Sequence, residues 1–115
     1  MQQVVDLQNS KEFQSLGVEL LSVASDPVEA WKSEGAKLSI TLPLLSDQGA
    51  KVAREYGVMR WRMGSEPGHT FILVDKTGRV VWVRDYGSPE HGGLMYVAPA
   101  VLVPAIRAHL NGPAP

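Results

Sequence analysis

The chain has 115 residues, 11 Lys and Arg against 12 Asp and Glu, a formal net charge of -1 and 44% hydrophobic residues. That is enough chain for one buried core and too little for two, and its composition excludes a disordered segment and argues against an obligate nucleic-acid binder. Cysteine is absent, which excludes disulfides, zinc–thiolate sites and cysteine nucleophiles within these residues.

The opening Met1-Gln2-Gln3-Val4-Val5-Asp6 has neither a basic n-region nor an apolar h-region, so no signal peptide is read there, and no run reaches the roughly 18 apolar residues of a membrane span. A cytoplasmic location is the expectation. Val4, Leu7, Phe13 and Leu16 fall at helical spacing, with Gly17 as the stop. Val18-Glu19-Leu20-Leu21-Ser22-Val23-Ala24 follows as a short apolar run with the pattern of a buried strand. Asp26-Pro27-Val28-Glu29 then reads as a capping-box-like helix start, with Pro27 at the first helical position and the helix ending at Gly35.

Thr41-Leu42-Pro43-Leu44-Leu45 is an edge strand or extended loop, because Pro43 cannot donate to a ladder. Ser46 is positioned to cap a helix carrying Val52, Ala53 and Tyr56, closed by Gly57. Thr70-Phe71-Ile72-Leu73-Val74 and Val80-Val81-Trp82-Val83 form a β-hairpin through Asp75-Lys76-Thr77-Gly78. A last helix covers 101–110 with Val103, Ile106 and Leu110 on one face, and Pro104 must lie in its first turn or kink it. Leu94, Met95 and Tyr96 are expected to cover the sheet. The order predicts one α/β domain over residues 1–112 with a loose tail at 113–115, its helices packed on a mixed sheet.

Leu16-Gly17-Val18-Glu19-Leu20-Leu21-Ser22-Val23 followed by Asp26-Pro27 resembles the second core strand and next helix of the redoxin, or peroxiredoxin-like, family of AhpC/TSA type. Leu42-Pro43-Leu44-Leu45-Ser46-Asp47, Val52-Ala53-Arg54-Glu55-Tyr56-Gly57-Val58 and the 70–80 segment resemble the same family in its order and spacing, so the resemblance covers most of 13–86. It implies a thioredoxin fold and cysteine-dependent reduction of peroxides or disulfides, with electrons from a small thiol or a thioredoxin-like partner and no cofactor. It also implies that the family's cysteine falls at or before Met1, so this chain reads as a domain lacking the first core strand and the catalytic loop. No catalytic residue is therefore assigned. Gly68 stands where many members carry a hydroperoxide-binding arginine, and Pro67 is one position from the cis-proline pattern of thioredoxin-like reductases, its isomer left open.

Peroxide reduction passes through a thiolate and a sulfenic acid, which neither serine nor histidine replaces. The resemblance makes Pro67, Gly68, His69 and Thr70, with Trp61 packed over them, the candidate cleft wall. It also leaves the strands at 18–24 and 70–74 with facing unpaired edges, which predicts direct closure or a homodimer through strand pairing or element exchange.

His69, His91 and His109 match no metal-ligand spacing, so no metal is expected. Arg60-Trp61-Arg62-Met63 interleaves basic and aromatic residues as single-strand nucleic-acid binders do, but one such tetrad in a near-neutral chain reads as a packed loop. The loop Gly87-Ser88-Pro89-Glu90-His91-Gly92-Gly93 lacks a strand-to-helix phosphate fingerprint. No serine lies in a nucleophile elbow, and Asp85 with Glu90 makes a poor glycosidase pair. Met59, Met63 and Met95 read as core or cleft fillers, and Trp31 and Trp82 as packing anchors. Two other readings stay open: a non-catalytic binding or dimerisation module of the same fold, and an unrelated small α/β binding domain.

Overall fold

A computed structural model describes residues 1–62 and 67–111. The single amino-terminal helix expected from periodicity is two: α1 (Gln2–Gln8) and α2 (Lys11–Gln14). The break comes from Ser10, which takes extended φ/ψ and accepts the Phe13 amide on its Oγ at 3.1 Å. A serine that caps from an extended conformation restarts a helix rather than continuing one. The restart turns both Leu7 and Phe13 into the core.

Only the end of the 18–24 run is strand: β1 (Ser22–Ala24) pairs in parallel with β2 (Leu44–Ser46), Ser22 opposite Leu44 and Ala24 opposite Ser46. Between them lies α3 (Val28–Lys37), for which Pro27 is the N-cap and Asp26 supplies no side-chain cap bond. The helix runs through Gly35 rather than ending there, and that buried glycine gives room to the Leu44 side chain, which a Cβ would approach to 2.9 Å. Ser46 belongs to the strand, its Oγ donating to the Asp26 carbonyl. The capping role expected of it falls to Asp47, whose carboxylate accepts the Val52 and Ala53 amides at the start of α4 (Lys51–Glu55), both at 3.0 Å. Those two backbone bonds hold the Asp47 carboxyl below its usual range.

The hairpin forms as expected: β3 (Thr70–Val74) and β4 (Val80–Asp85) pair antiparallel, Thr70 opposite Asp85, with a bulge at Leu73/Val74. Asp75 Oδ1 organises its turn, accepting from the Thr77 amide and hydroxyl and from the Arg79 amide, while Gly78 takes φ +87°. The last helix, α5 (Pro99–Asn111), starts two residues earlier than expected and holds Pro104 in its second turn. Leu102, Val103 and Ile106 are its buried face, while Leu110 is exposed. The main core joins them to Leu7, Phe13, Leu73, Tyr86 and Val97. Leu94, Met95 and Tyr96 are exposed rather than covering the sheet. The expectations for Met63, Gly112 and the 113–115 tail fall outside the described residues, as does one end of the Glu66–Pro67 bond.

The strands make two separate two-stranded ribbons, β1–β2 and β3–β4. The Ser22 amide donates to the Pro43 carbonyl and the Asp47 amide to the Ala24 carbonyl, so Ser22 and Ala24 face β2 and the backbone of Val23 faces away. On β3, the Tyr86 amide bonds the His69 carbonyl, so the antiparallel alternation turns Phe71 and Leu73 toward β4 and Thr70 and Ile72 away from it. A groove of about 500 Å³ lies between these two edges.

Candidate functional site

The groove takes its walls from Met1, Val4 and Leu7 of α1, from 18–26 including β1, and from 67–74 including β3; Leu102 and Ile106 of α5 also line it. It is chiefly apolar, with Val4, Leu7, Leu20, Val23, Ile72 and Leu102 among the side chains that line it. Pro67, Gly68, His69 and Thr70, four of the five residues expected in a cleft wall, line it.

Trp61 does not. It sits behind the wall, its carbonyl so close to Gly68 that a Cβ there would come within 2.6 Å. The Arg60 guanidinium lies 4.1 Å over its ring, and the His91 ring meets it edge-on at 5.8 Å. The tetrad's aromatic is thus engaged by its own neighbours.

Sequence reading missed two polar centres at this end of the molecule. The first is Asp85, at the end of β4, whose side chain is wholly buried. Its carboxylate accepts from Thr70 Oγ1 at 3.0 Å, from the Gly87 and Ser88 amides at 3.3 and 3.2 Å, and from His91 Nδ1 at 2.8 Å. Burial alone would raise its pKa; the bonds from Ser88, His91 and Thr70 outweigh that and bring it to about 2. Asp85 therefore ties the start of β3 to the 3-10 turn Pro89–His91. It pairs with His91, not with Glu90, and its work is to hold the wall in place. The Ser88 hydroxyl beside it has no hydrogen-bond partner among the described residues.

The second centre is Gln3, buried on α1. Its amide bonds both backbone groups of Val97, Nε2 donating to the carbonyl at 2.8 Å and Oε1 accepting the amide at 2.7 Å. The same Oε1 lies 3.0 Å from His69 Nε2. His69 is half-buried, packs edge-on against Phe71 at 5.1 Å and backs onto Gly87, where a Cβ would come within 2.7 Å of its amide nitrogen. Burial chiefly lowers the His69 pKa, opposed by Asp85. The only sequence signal for either centre was Gln3 occupying an apolar position of α1.

His109 is exposed on α5, its Nδ1 2.7 Å from the Ala105 carbonyl. Among the described residues no three His, Cys, Asp or Glu side chains are grouped to hold a metal ion, and no helix is long and apolar enough to cross a membrane. Trp31 and Trp82 are partly buried; Trp31 Nε1 donates to the Leu45 carbonyl, and Trp82 packs against the main core.

The AhpC/TSA family model matches residues 2–83. Peroxiredoxin Q, chloroplastic, of Sedum lineare is 34% identical over 83 residues, 70% of this chain and 45% of that protein. Its namesakes in Gentiana triflora and Arabidopsis thaliana are 33% and 31% identical over 70 residues, 61% of this chain and 32% of each relative. The chain thus spans less than half the length of these curated relatives. With its α/β elements in the expected order and the match running from α1 into β4, the chain belongs to the AhpC/TSA, or peroxiredoxin-like, family and has its thioredoxin-like architecture.

Proposed function

We propose that this chain is the receiving part of a cysteine-dependent redoxin. It supplies the floor and walls of the cleft, and the nucleophilic thiol arrives on a segment outside residues 1–115. One observation carries the reading: an apolar groove of about 500 Å³ between two unpaired strand edges, bordered by Met1, in a family member with no cysteine. An extended segment in that groove would satisfy the backbone groups of Val23 on one side and Ile72 on the other, joining the ribbons into one sheet. A cysteine at its end would meet the start of α1 and the 67–70 wall.

The chemistry is thiolate attack on the peroxide O–O bond, giving a sulfenic acid and an alcohol or water, followed by reduction by a small thiol or a thioredoxin-like protein. A cytoplasmic setting belongs to this proposal, since a reducing thiol pool regenerates such a cysteine; the chloroplast in the plant relatives' names is a property of those proteins.

The test is a peroxide-consumption assay with dithiothreitol, paired with intact mass and thiol count of the protein from its native source. This polypeptide alone gives only background, and the native protein exceeds 12.5 kDa and carries an alkylatable thiol. Turnover above a heat-denatured control, or a native mass of 12.5 kDa with no thiol, overturns the reading.

A second reading is a non-catalytic module that dimerises through its strand edges. The exposure of Leu21, Val23 and Leu45 favours it. Sedimentation decides: a concentration-dependent dimer lost on Val23→Lys supports it, and a monomer at all concentrations rejects it.

A further inference from the structure

With no cysteine in the chain, its reactive sulfur is the thioether of its four methionines. A thioether attacks an oxidant without first losing a proton, so its reactivity follows access to the sulfur rather than a pKa. The fold treats the methionines differently. Met95 is 55% exposed and borders the groove, between exposed Leu94 and Tyr96. Met59 is half-buried and packed against Ala50, Ala53 and Val58, and Met1 is half-buried on the groove wall.

The backbone around Met95 holds it in that place. The Leu94 amide donates to the Tyr86 carbonyl at 2.7 Å, and the Gly93 amide to the Ser88 carbonyl at 2.9 Å. Gly92 and Gly93 enter the stretch at φ +108° and +64°, conformations that glycine adopts without strain. On the other side, the Tyr96 hydroxyl donates to the Asp6 carboxylate of α1, and Gln3 bonds both backbone groups of Val97. Residues before and after Met95 are thus tied to the hairpin end and to α1. None of these bonds runs through the Met95 side chain, so its sulfur can change chemically without releasing the segment.

We propose that Met95 is a modification site, the methionine at which a hydroperoxide oxidises this chain to a sulfoxide with the fold intact. In the step, a sulfur lone pair attacks the terminal peroxide oxygen and forms the S–O bond. The O–O bond breaks with its electron pair on the other oxygen, which takes the proton of the attacked oxygen. Sulfur is oxidised from thioether to sulfoxide, and the hydroperoxide is reduced to an alcohol or water. The product puts a polar group at the edge of an apolar groove, and a methionine sulfoxide reductase reverses it. Each chain takes one oxygen at Met95, so the reaction is stoichiometric. It is separate from the turnover assigned above to a thiol and stands or falls independently of that reading.

The test treats the unaltered chain at neutral pH with dilute hydrogen peroxide and maps each methionine by mass spectrometry of digested time points. Met95 gains its oxygen about ten-fold faster than Met59, because one sulfur is accessible and the other is packed. In urea that unfolds the chain the two rates come together, since the difference lies in the fold and not in the flanking sequence. Hydrogen exchange on the chain oxidised at Met95 finds the Leu94 and Val97 amides as protected as before. Equal rates at Met95 and Met59 in the folded chain, a gap that persists in urea, or loss of Leu94 and Val97 protection on oxidation each overturns the proposal.

Discussion

Leu73 of the hairpin and Leu102, Val103 and Ile106 of α5 are at most 5% exposed, although Val74, Val80, Val81 and Val83 of the hairpin are 37–47% exposed. On and beside the β1–β2 ribbon, by contrast, Leu21, Val23 and Leu45 are 44–54% exposed and no large apolar side chain is buried. The two regions are similarly apolar in sequence. They differ in what covers them: α1, α2 and α5 pack on the hairpin side, while α3 buries only Gly35. An apolar strand is buried by a second layer and a neighbouring strand on each edge; β1 and β3 each have a neighbour on one edge only, so the helix layer is what separates the two ribbons. The edges of β1 and β3 that lack a neighbouring strand lie at the groove, where the candidate wall of 67–70 also lies.

The largest expected contrast between the halves is in core truncation. Leu102→Ala should cost about 3 kcal/mol in urea unfolding, because its fully buried side chain leaves a cavity against Leu7 and Ile106, while Val23→Ala should cost under about 1 kcal/mol. Equal costs would erase the distinction. Next, Asp85→Asn should cost about 2 kcal/mol, since an amide presents a donor to groups that themselves donate. The sign with pH follows from the depressed carboxyl: its folded pKa of about 2 lies below the unfolded value near 4, so its contribution is complete above about pH 4 and is lost as pH falls through 2. Acid titration of the wild type and Asp85→Asn should therefore converge in that window.

Gln3→Leu sharpens the comparison from the α1 side. It should cost about 1.5 kcal/mol and speed hydrogen exchange at the Val97 amide, which loses its acceptor inside the core. The smallest effect belongs to Lys51→Ala, under about 0.3 kcal/mol by thermal melting, because its 4.0 Å pair with Glu55 is exposed on both sides.

Much of the fold was legible in local pattern. The alternation of 70–74 and 80–83 around Asp75-Lys76-Thr77-Gly78 specifies a hairpin without any tertiary knowledge, and four family-like segments in register specified the architecture. The errors came where a local rule had two solutions. Ser10 looked like an interior helix residue until its cap to Phe13 broke the helix, and Asp47 took the capping role that Ser46 equally suited. The polar centres were illegible for a different reason. Gln3 bonds Val97, 94 positions away, and its partners are backbone groups that no side-chain pattern announces. His91 read as an ordinary loop histidine because nothing in its spacing reveals that Asp85 is buried beneath it. Trp61 was placed on the wall by analogy, and the close approach of its carbonyl to Gly68 puts it one layer behind.

The central claim is that β1 and β3 present unpaired edges to one groove. Amide hydrogen exchange by NMR, at a concentration where sedimentation shows a monomer, tests it residue by residue. The account predicts fast exchange at Val23 and Ile72, whose amides face the groove, and strong protection at Phe71 and Leu73, whose amides face β4. Protection of Val23 and Ile72 equal to that of Leu73 would mean that the two ribbons close on each other directly, and would contradict the account.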